Sequence, residues 1–202
     1  MASLKDAVGR DVSRETVAKL ESYSSLLRDE SHRQNLISKS TIDTLWERHV
    51  LDSAQLARFA PASAKWVDLG SGAGLPGVVI AIVTTGAVTM VEPRRLRADF
   101  LSKVVADLKL EAEVWCGKAE RIEGKFDVIT ARALAPLEKL LRMAQHLSHP
   151  DTVWILPRGR NAKSELAEVD RSWHYDLRAE RSITDPDSEI LLLSKVRAKS
   201  KR

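Results

Sequence analysis

A chain of 202 residues with 44% hydrophobic and 30% charged content has room for one domain and a small extension, and that balance excludes a disordered chain. Its formal charge of +4 favours an anionic partner such as nucleic acid. A single cysteine, Cys116, excludes an intrachain disulfide, and the opening Met1-Ala2-Ser3-Leu4-Lys5-Asp6 carries no apolar signal core, so a cytoplasmic setting is expected.

In chain order, the first sixty residues read as helical. Val17, Leu20, Tyr23 and Leu27 recur at helical spacing behind Ser13, a ready cap. A second helix is expected from about Ser40, where Ser40-Thr41-Ile42-Asp43 resembles a capping box. Its apolar stripe runs through Ile42, Leu45, Trp46, Ser53 and Leu56, and Pro61 closes it. His49 and Asp52 fall three residues apart on that stripe. They read either as a His–Asp link fixing the helix to the rest of the fold or as part of a wall for a substrate.

From Lys65 the pattern changes to alternating strands and helices. Strands are expected at 65–69, 87–91, 112–116, 126–130 and 152–156. Helices are expected from about Leu75, over 94–108 with Leu96, Phe100, Val104 and Leu108 buried, and near 136–147 and 161–170. Cys116 is expected as a small buried hydrophobe at a strand end. Two last strands, 173–182 and 189–196, are separated by the turn signal Thr184-Asp185-Pro186-Asp187 and read as a hairpin. The uncharged run 69–91 is broken by five glycines and Pro76, which argues against a membrane span. Repeated strand–helix units predict an α/β, doubly wound, mostly parallel sheet, with ligands at the carboxyl ends of its strands. The expected division is a helical extension over 1–62 and a catalytic domain over 63–202. The basic tail 195–202 reads as a frayed, solubilising end.

The motif carrying most chemistry is Val67-Asp68-Leu69-Gly70-Ser71-Gly72-Ala73-Gly74-Leu75-Pro76-Gly77, placed where the first strand turns into a helix. Glycines there let the chain turn sharply and a ligand approach the backbone. Gly72 to Gly77 also fits the dinucleotide fingerprint, so an NAD-type protein is an alternative. Glu92, about twenty residues on at the end of the second strand, can accept hydrogen bonds from ribose hydroxyls in either case. Arg132, at the end of the fourth strand, can pair with a ligand carboxylate or an RNA phosphate. Arg94, Arg95 and Arg97 open a helix at the same edge and are either phosphate contacts or a solvated face.

Asn35-Leu36-Ile37-Ser38, Arg48-His49-Val50-Leu51-Asp52-Ser53, Gly70 to Gly77 and Phe126-Asp127-Val128-Ile129-Thr130-Ala131-Arg132-Ala133 together resemble the ribosomal RNA small subunit methyltransferase G family, also called glucose-inhibited division protein B. The resemblance spans about residues 13 to 196. It implies a class I, Rossmann-like fold and use of S-adenosylmethionine, with transfer of a methyl group to N7 of a guanine in 16S ribosomal RNA. Carried over by position, it implies cofactor contacts at Gly70, Leu75, Ala119, Glu120 and Arg132, beside Glu92 and Gly72 from the residues themselves. Arg132 and His49 are the catalytic candidates, and Arg94, Arg95 and Arg158 the RNA-binding ones. The family often has Lys-Gly after the fifth strand, where this chain has Arg158-Gly159. No metal, no membrane and a monomer are expected, and the small ribosomal subunit or its RNA is the expected partner.

Guanine N7 carries a lone pair and no proton, so such a site needs alignment more than a base. The chain lacks the Pro-Pro-aromatic motif of exocyclic-amine methyltransferases after its fourth strand, and Cys116 stands outside any Pro-Cys motif. The remaining alternatives are transfer to another RNA or a small molecule, and an RNA-binding module without turnover.

Overall fold

A computed structural model describes residues 3–200. Its centre is a seven-stranded sheet in the order β3-β2-β1-β4-β5-β7-β6. The parallel strands are β1 (Trp66–Leu69), β2 (Val88–Val91), β3 (Ala112–Trp115), β4 (Phe126–Thr130) and β5 (Ser148–Arg158). The antiparallel hairpin of β6 (Trp173–Arg181) and β7 (Glu189–Ala198) adds onto β5. This is the doubly wound sheet and terminal hairpin that the alternation predicts, and the order reverses between β1 and β4, where such folds bind ligands.

Alternate residues of the buried strands feed two cores, as the period of two requires. Trp66, Val88, Met90, Val128, Ile155 and Ile190 face one layer; Val67, Leu69, Val91, Ile129, Trp154 and Leu191 face the other. The first layer is covered by α2 (Arg14–Gln34), α4 (Gly77–Val83) and α5 (Arg95–Leu108), the second by α6 (Leu137–Ala144) and α7 (Ala162–Val169). Leu20, Tyr23 and Leu27 of α2 are fully buried in the first core, so the N-terminal helices and the sheet share one apolar interior. Ser13 caps α2 by accepting from the Thr16 N–H at 3.1 Å, as its position predicts. The short α1 (Leu4–Val8) precedes it, capped by Ser3 in a full capping box with Asp6.

Four local expectations are corrected, the first being the tail, which does not fray from 195 but stays paired with β6 as far as Ala198, the end of β7. The second helix does not start at Ser40: Lys39–Thr41 forms an isolated 3-10 turn, and the helical path resumes only at Leu45. It then runs as a π-helix (Trp46–Leu51), a single α turn, α3 (Asp52–Ala54), and a 3-10 helix (Gln55–Phe59). Widened and tightened turns of this kind fit a segment whose packing is set from outside rather than by its own period. Leu96 is 71% exposed, because it lies in the first turn of α5 beyond the sheet edge; Ala98, Phe100, Leu101 and Val104 make the buried face instead. Cys116 is exposed rather than buried, since it leaves β3, the edge strand, which has a neighbour on one side only. The uncharged run 69–91 divides into the end of β1, a loop, α4 and β2, and no helix among the described residues is long and apolar enough to cross a membrane.

Candidate active site

The loop between β1 and α4 is held from several sides. The N–H groups of Gly70 and Ser71 both donate to the Val91 carbonyl, at 2.8 and 3.0 Å, tying the loop to the end of β2. Gly72 N–H donates to Glu92 Oε2 at 2.8 Å, and Gly74 N–H to the Ser71 carbonyl. Gly70, Gly72 and Gly74 have φ of 71°, 54° and 93°, the left-handed region that favours glycine. A Cβ on Gly74 would lie 2.5 Å from Val78 Cγ2, and one on Gly70 2.6 Å from Leu134 Cδ1. From the N-terminal side, Tyr23 Oη reaches under the loop and donates to the Ala73 carbonyl at 2.9 Å.

Two buried carboxylates support the bend. Glu92 is 3% exposed; its Oε1 accepts from the Arg94 N–H at 2.8 Å while Oε2 holds Gly72. Both oxygens keep a further lone pair for a ligand hydroxyl. Asp68 caps the start of α4 through Oδ2, which accepts from the Gly77 N–H at 3.0 Å, and its Oδ1 has no partner. Burial pushes the Asp68 carboxyl up to about 6, although the Gly77 N–H and the Arg132 charge pull the other way.

This wiring bears on the ligand. A pyrophosphate needs free backbone N–H groups and a positive helix terminus. Here the N–H groups of Gly70, Ser71, Gly72, Gly74 and Leu75 already have acceptors, and Pro76 has none to give. The helix start is occupied by a carboxylate, and a second carboxylate stands at Gly72. Such a bend disfavours a dinucleotide and suits a ligand that is neutral or cationic where it meets the loop.

Beside the loop, a cavity of about 210 Å³ opens among Gly70, Val91, Pro93, Lys118, Ala119, Glu120 and the segment after β4, with Leu134 and Met143 on its apolar side. It brings together Gly70, Ala119 and Glu120, three of the residues expected at the cofactor. Leu75, also expected there, is buried beneath the loop in the first core, and the open side of Gly72, where a Cβ would stand, faces Arg97. Arg94 and Arg95 are exposed at this edge, Arg95 pairing with Asp99 at 2.9 Å.

Arg132 leaves β4 on the first-core side and makes the contact that joins the helical segment to the sheet. It donates to Asp52 Oδ2 at 3.2 Å and to His49 Nδ1 at 3.1 Å. The expected His–Asp link is thereby corrected: each residue bonds to the guanidinium between them. An arginine can only donate, so His49 Nδ1 is the acceptor and Nε2 carries the proton, which it donates to Thr41 Oγ1 at 2.9 Å. Burial, and after it the Arg132 charge, pushes His49 down to about 4, so the imidazole is neutral at physiological pH. Asp52 Oδ1 also accepts from Thr184 Oγ1 at 2.7 Å and Gln55 Nε2 at 3.0 Å. Gln55 Oε1 in turn takes the Ile183 N–H, which pins the β6–β7 turn over the site.

Tyr23, Thr41, Gln55 and Thr184 are the residues that reading the sequence missed. Their signals were local ones only: Tyr23 as a position of the apolar stripe, Thr41 in the capping-box motif and Thr184 in the turn at 184–187, while Gln55 had none. Arg158 is 7% exposed, because β5 is paired on both sides and α7 lies across its end. It donates to the Ala135 carbonyl at 3.3 Å and stands 3.8 Å from Glu165, while its Nε and one terminal nitrogen have no hydrogen-bond partner. Burial lowers its pKa. With Arg132, Asp52, Arg160 and Asn161 it borders a second cavity of about 530 Å³. Among the described residues, no cluster of three or more His, Cys, Asp or Glu is arranged to hold a metal ion.

The fold is that of solved methyltransferases. A TehB-like SAM-dependent methyltransferase from Corynebacterium glutamicum superposes with a TM-score of 0.60 at 17% identity, covering 82% of this chain and 97% of that one. The ribosomal protein L11 methylase from Lactobacillus delbrueckii gives 0.56 at 18% identity, covering 76% and 79%. In sequence, the ribosomal RNA small subunit methyltransferase G of Zymomonas mobilis is 45% identical over 95% of this chain and 91% of its own length. That of Rhizorhabdus wittichii is 43% identical over 94% and 90%. The family model for rRNA small subunit methyltransferase G matches residues 16–189. The chain belongs to the rRNA small subunit methyltransferase G (GidB) family.

Proposed function

We propose that the protein methylates N7 of a guanine in 16S ribosomal RNA, using S-adenosylmethionine. The observation that carries the reading is the meeting of the glycine loop, Glu92 and the apolar cavity at Ala119–Glu120 in a chain of this family. These residues fit the cofactor. Gly70 presents bare backbone at the cavity wall, Asp68 Oδ1 is an orphaned buried acceptor near the bend, and Glu92 retains lone pairs for ribose hydroxyls. Ala119 and Leu134 offer apolar surface for a purine, with Glu120 at its rim. When bound, S-adenosylmethionine supplies an electrophilic methyl group on a sulfonium centre.

The chain's own task is alignment and exclusion of water. The target nitrogen needs no deprotonation, which agrees with a site whose imidazole is neutral and already bonded at both ring nitrogens. Arg132, held by His49 and Asp52, is placed to orient a carboxylate or phosphate rather than to move a proton. Arg160, exposed at the second cavity, supplies positive charge on the side from which a nucleic acid would approach, whereas Arg158 is buried and donates to the Ala135 carbonyl, so it holds the segment after β4 rather than meeting RNA. Arg94 and Arg95 do the same at the loop edge.

The test is to incubate undermethylated small ribosomal subunits with labelled S-adenosylmethionine and map the product. Label at a single guanine, with the strand scission after borohydride reduction and aniline treatment that an N7-methyl confers, is expected. Label on a different atom, or none in RNA, sinks the proposal. Calorimetry with S-adenosylmethionine and NAD separates the dinucleotide alternative: only the first is expected to bind.

A further inference from the structure

A cavity of about 1040 Å³ lies at the opposite edge of the sheet, where β4 and β5 begin and the hairpin ends. Lys125 stands just before β4, Arg142 near the end of α6, and Lys195 and Arg197 on β7. His146, His149 and His174 fill the spaces between them. The lining contains one carboxylate, Asp176, and no aliphatic residue beyond Pro150 and Val196. Some of the charge is answered locally: Lys195 pairs with Asp176 at 2.7 Å, Arg142 with Glu138 at 2.5 Å, and His149 with Asp127 at 3.1 Å. Among the described residues, Lys125 and Arg197 pair with no carboxylate; Lys125 donates to the carbonyls of His146 and Ser148.

The hairpin is shaped to aim these cations. His174 pairs with Arg197 and Asp176 with Ser194, so Tyr175 opposes two residues, Lys195 and Val196. The extra residue is Lys195, held at φ 53°, a left-handed position that a lysine rarely takes. A bulge of this kind bends the strand and redirects its side chains. Here it sets Lys195 and Arg197 at one groove. The methylation reading does not use this edge.

We propose that the groove is a second RNA-binding surface that takes the phosphate backbone of the ribosomal RNA. The proposal rests on the RNA-methyltransferase reading above and adds a contact remote from the transferred methyl. Four Lys or Arg side chains at one groove, two of them without a carboxylate partner among the described residues, suit a polyanion, and an apolar peptide would find no anchor among them. Lys125 and Arg132 flank the five-residue β4 seven residues apart, at most about 23 Å of extended chain at roughly 3.3 Å per residue, a distance one folded RNA segment can span. Contacts at both edges would fix the RNA's orientation without reading its bases.

The test uses the full chain with Arg142→Gln, His174→Gln and Arg197→Gln combined, and Lys5→Gln with Lys103→Gln as a control elsewhere on the surface. Affinity for naked undermethylated 16S rRNA is measured against salt concentration, and methyl transfer on the same RNA and on small subunits is measured in parallel. The groove variant is expected to bind roughly ten-fold more weakly, with a log–log salt slope shallower by about 1.4–1.8, the share of two phosphate contacts. Its KM should rise with kcat retained, and the control should match the unmodified protein. An unchanged slope and affinity in the groove variant overturns the proposal. A loss confined to assembled subunits, with naked RNA bound as before, assigns the groove to a ribosomal protein and overturns it as well. Methylation by the unmodified protein is read separately, so failure of the groove leaves the enzymatic reading standing.

Discussion

Arg132 and His49, 83 positions apart in the chain, meet at 3.1 Å, with the guanidinium donating to an imidazole nitrogen that stays unprotonated. The same guanidinium holds Asp52 at 3.2 Å, so one side chain just after β4 clamps the π-helix and the turn after it to the carboxyl edge of the sheet.

Replacing Arg132 with alanine is expected to abolish detectable methylation, at least 100-fold below the unmodified protein, because misplacement by about 1 Å costs that much. The fold should survive with a loss of about 1 kcal/mol, since the ion pair is one-fifth exposed at each end. Arg132→Lys should restore little, as an ammonium cannot bridge two acceptors in one plane. Circular dichroism with a methyl-transfer assay checks both; wild-type turnover in the alanine variant removes Arg132 from the site.

Two buried groups give opposite pH dependences. His49 falls from 6.5 to about 4 on folding, so its contribution to stability is full above pH 6.5 and is lost as pH drops toward 4. Asp68 rises from 3.8 to about 6, so its contribution is full below pH 3.8 and is lost as pH climbs through 6. Between about pH 4 and 6 the two slopes oppose each other. Denaturant titrations should therefore show Asp68→Asn losing stability on acidification through this window, and His49→Gln losing it on raising the pH. Parallel slopes in the two variants contradict the assignment.

Gly70→Ala and Gly74→Ala should differ in kind. At Gly74 the new Cβ meets Val78 inside the core at φ 93°, so a loss of about 2–3 kcal/mol is expected. At Gly70 it meets the end of Leu134, a flexible side chain 37% exposed, so the chain should fold with a loss of about 1–2 kcal/mol. Cofactor affinity should nevertheless drop at least ten-fold by calorimetry, because that Cβ stands at the cavity wall. Adding Leu134→Ala should relieve the stability loss without restoring affinity.

Tyr23→Phe removes one hydroxyl and leaves the Ala73 carbonyl without its donor. A destabilisation of about 1–3 kcal/mol is expected, with weaker cofactor binding, since the loop loses its support from α2. If melting shifts while cofactor affinity is unmoved, Tyr23 serves the core alone.

The alternation of apolar residues fixes the strands, because burial on both faces of a parallel sheet leaves few other ways to hide Trp66, Val67 and Leu69 together. The glycine run and Glu92 were legible for a local reason: the bend needs positive φ, and only a short list of residues supplies it. Ser13 likewise announced α2. Leu96, Cys116 and the helix from Ser40 were misread because edge position and outside packing decide them, and neither has a period in the chain. The clamp of Arg132, His49, Asp52 and Thr184 joins segments up to 132 residues apart, and the loop's support by Tyr23 crosses 50. Local propensity acts over a few residues, so contacts of that span exist only once the sheet has closed and brought its carboxyl edge against the N-terminal helices.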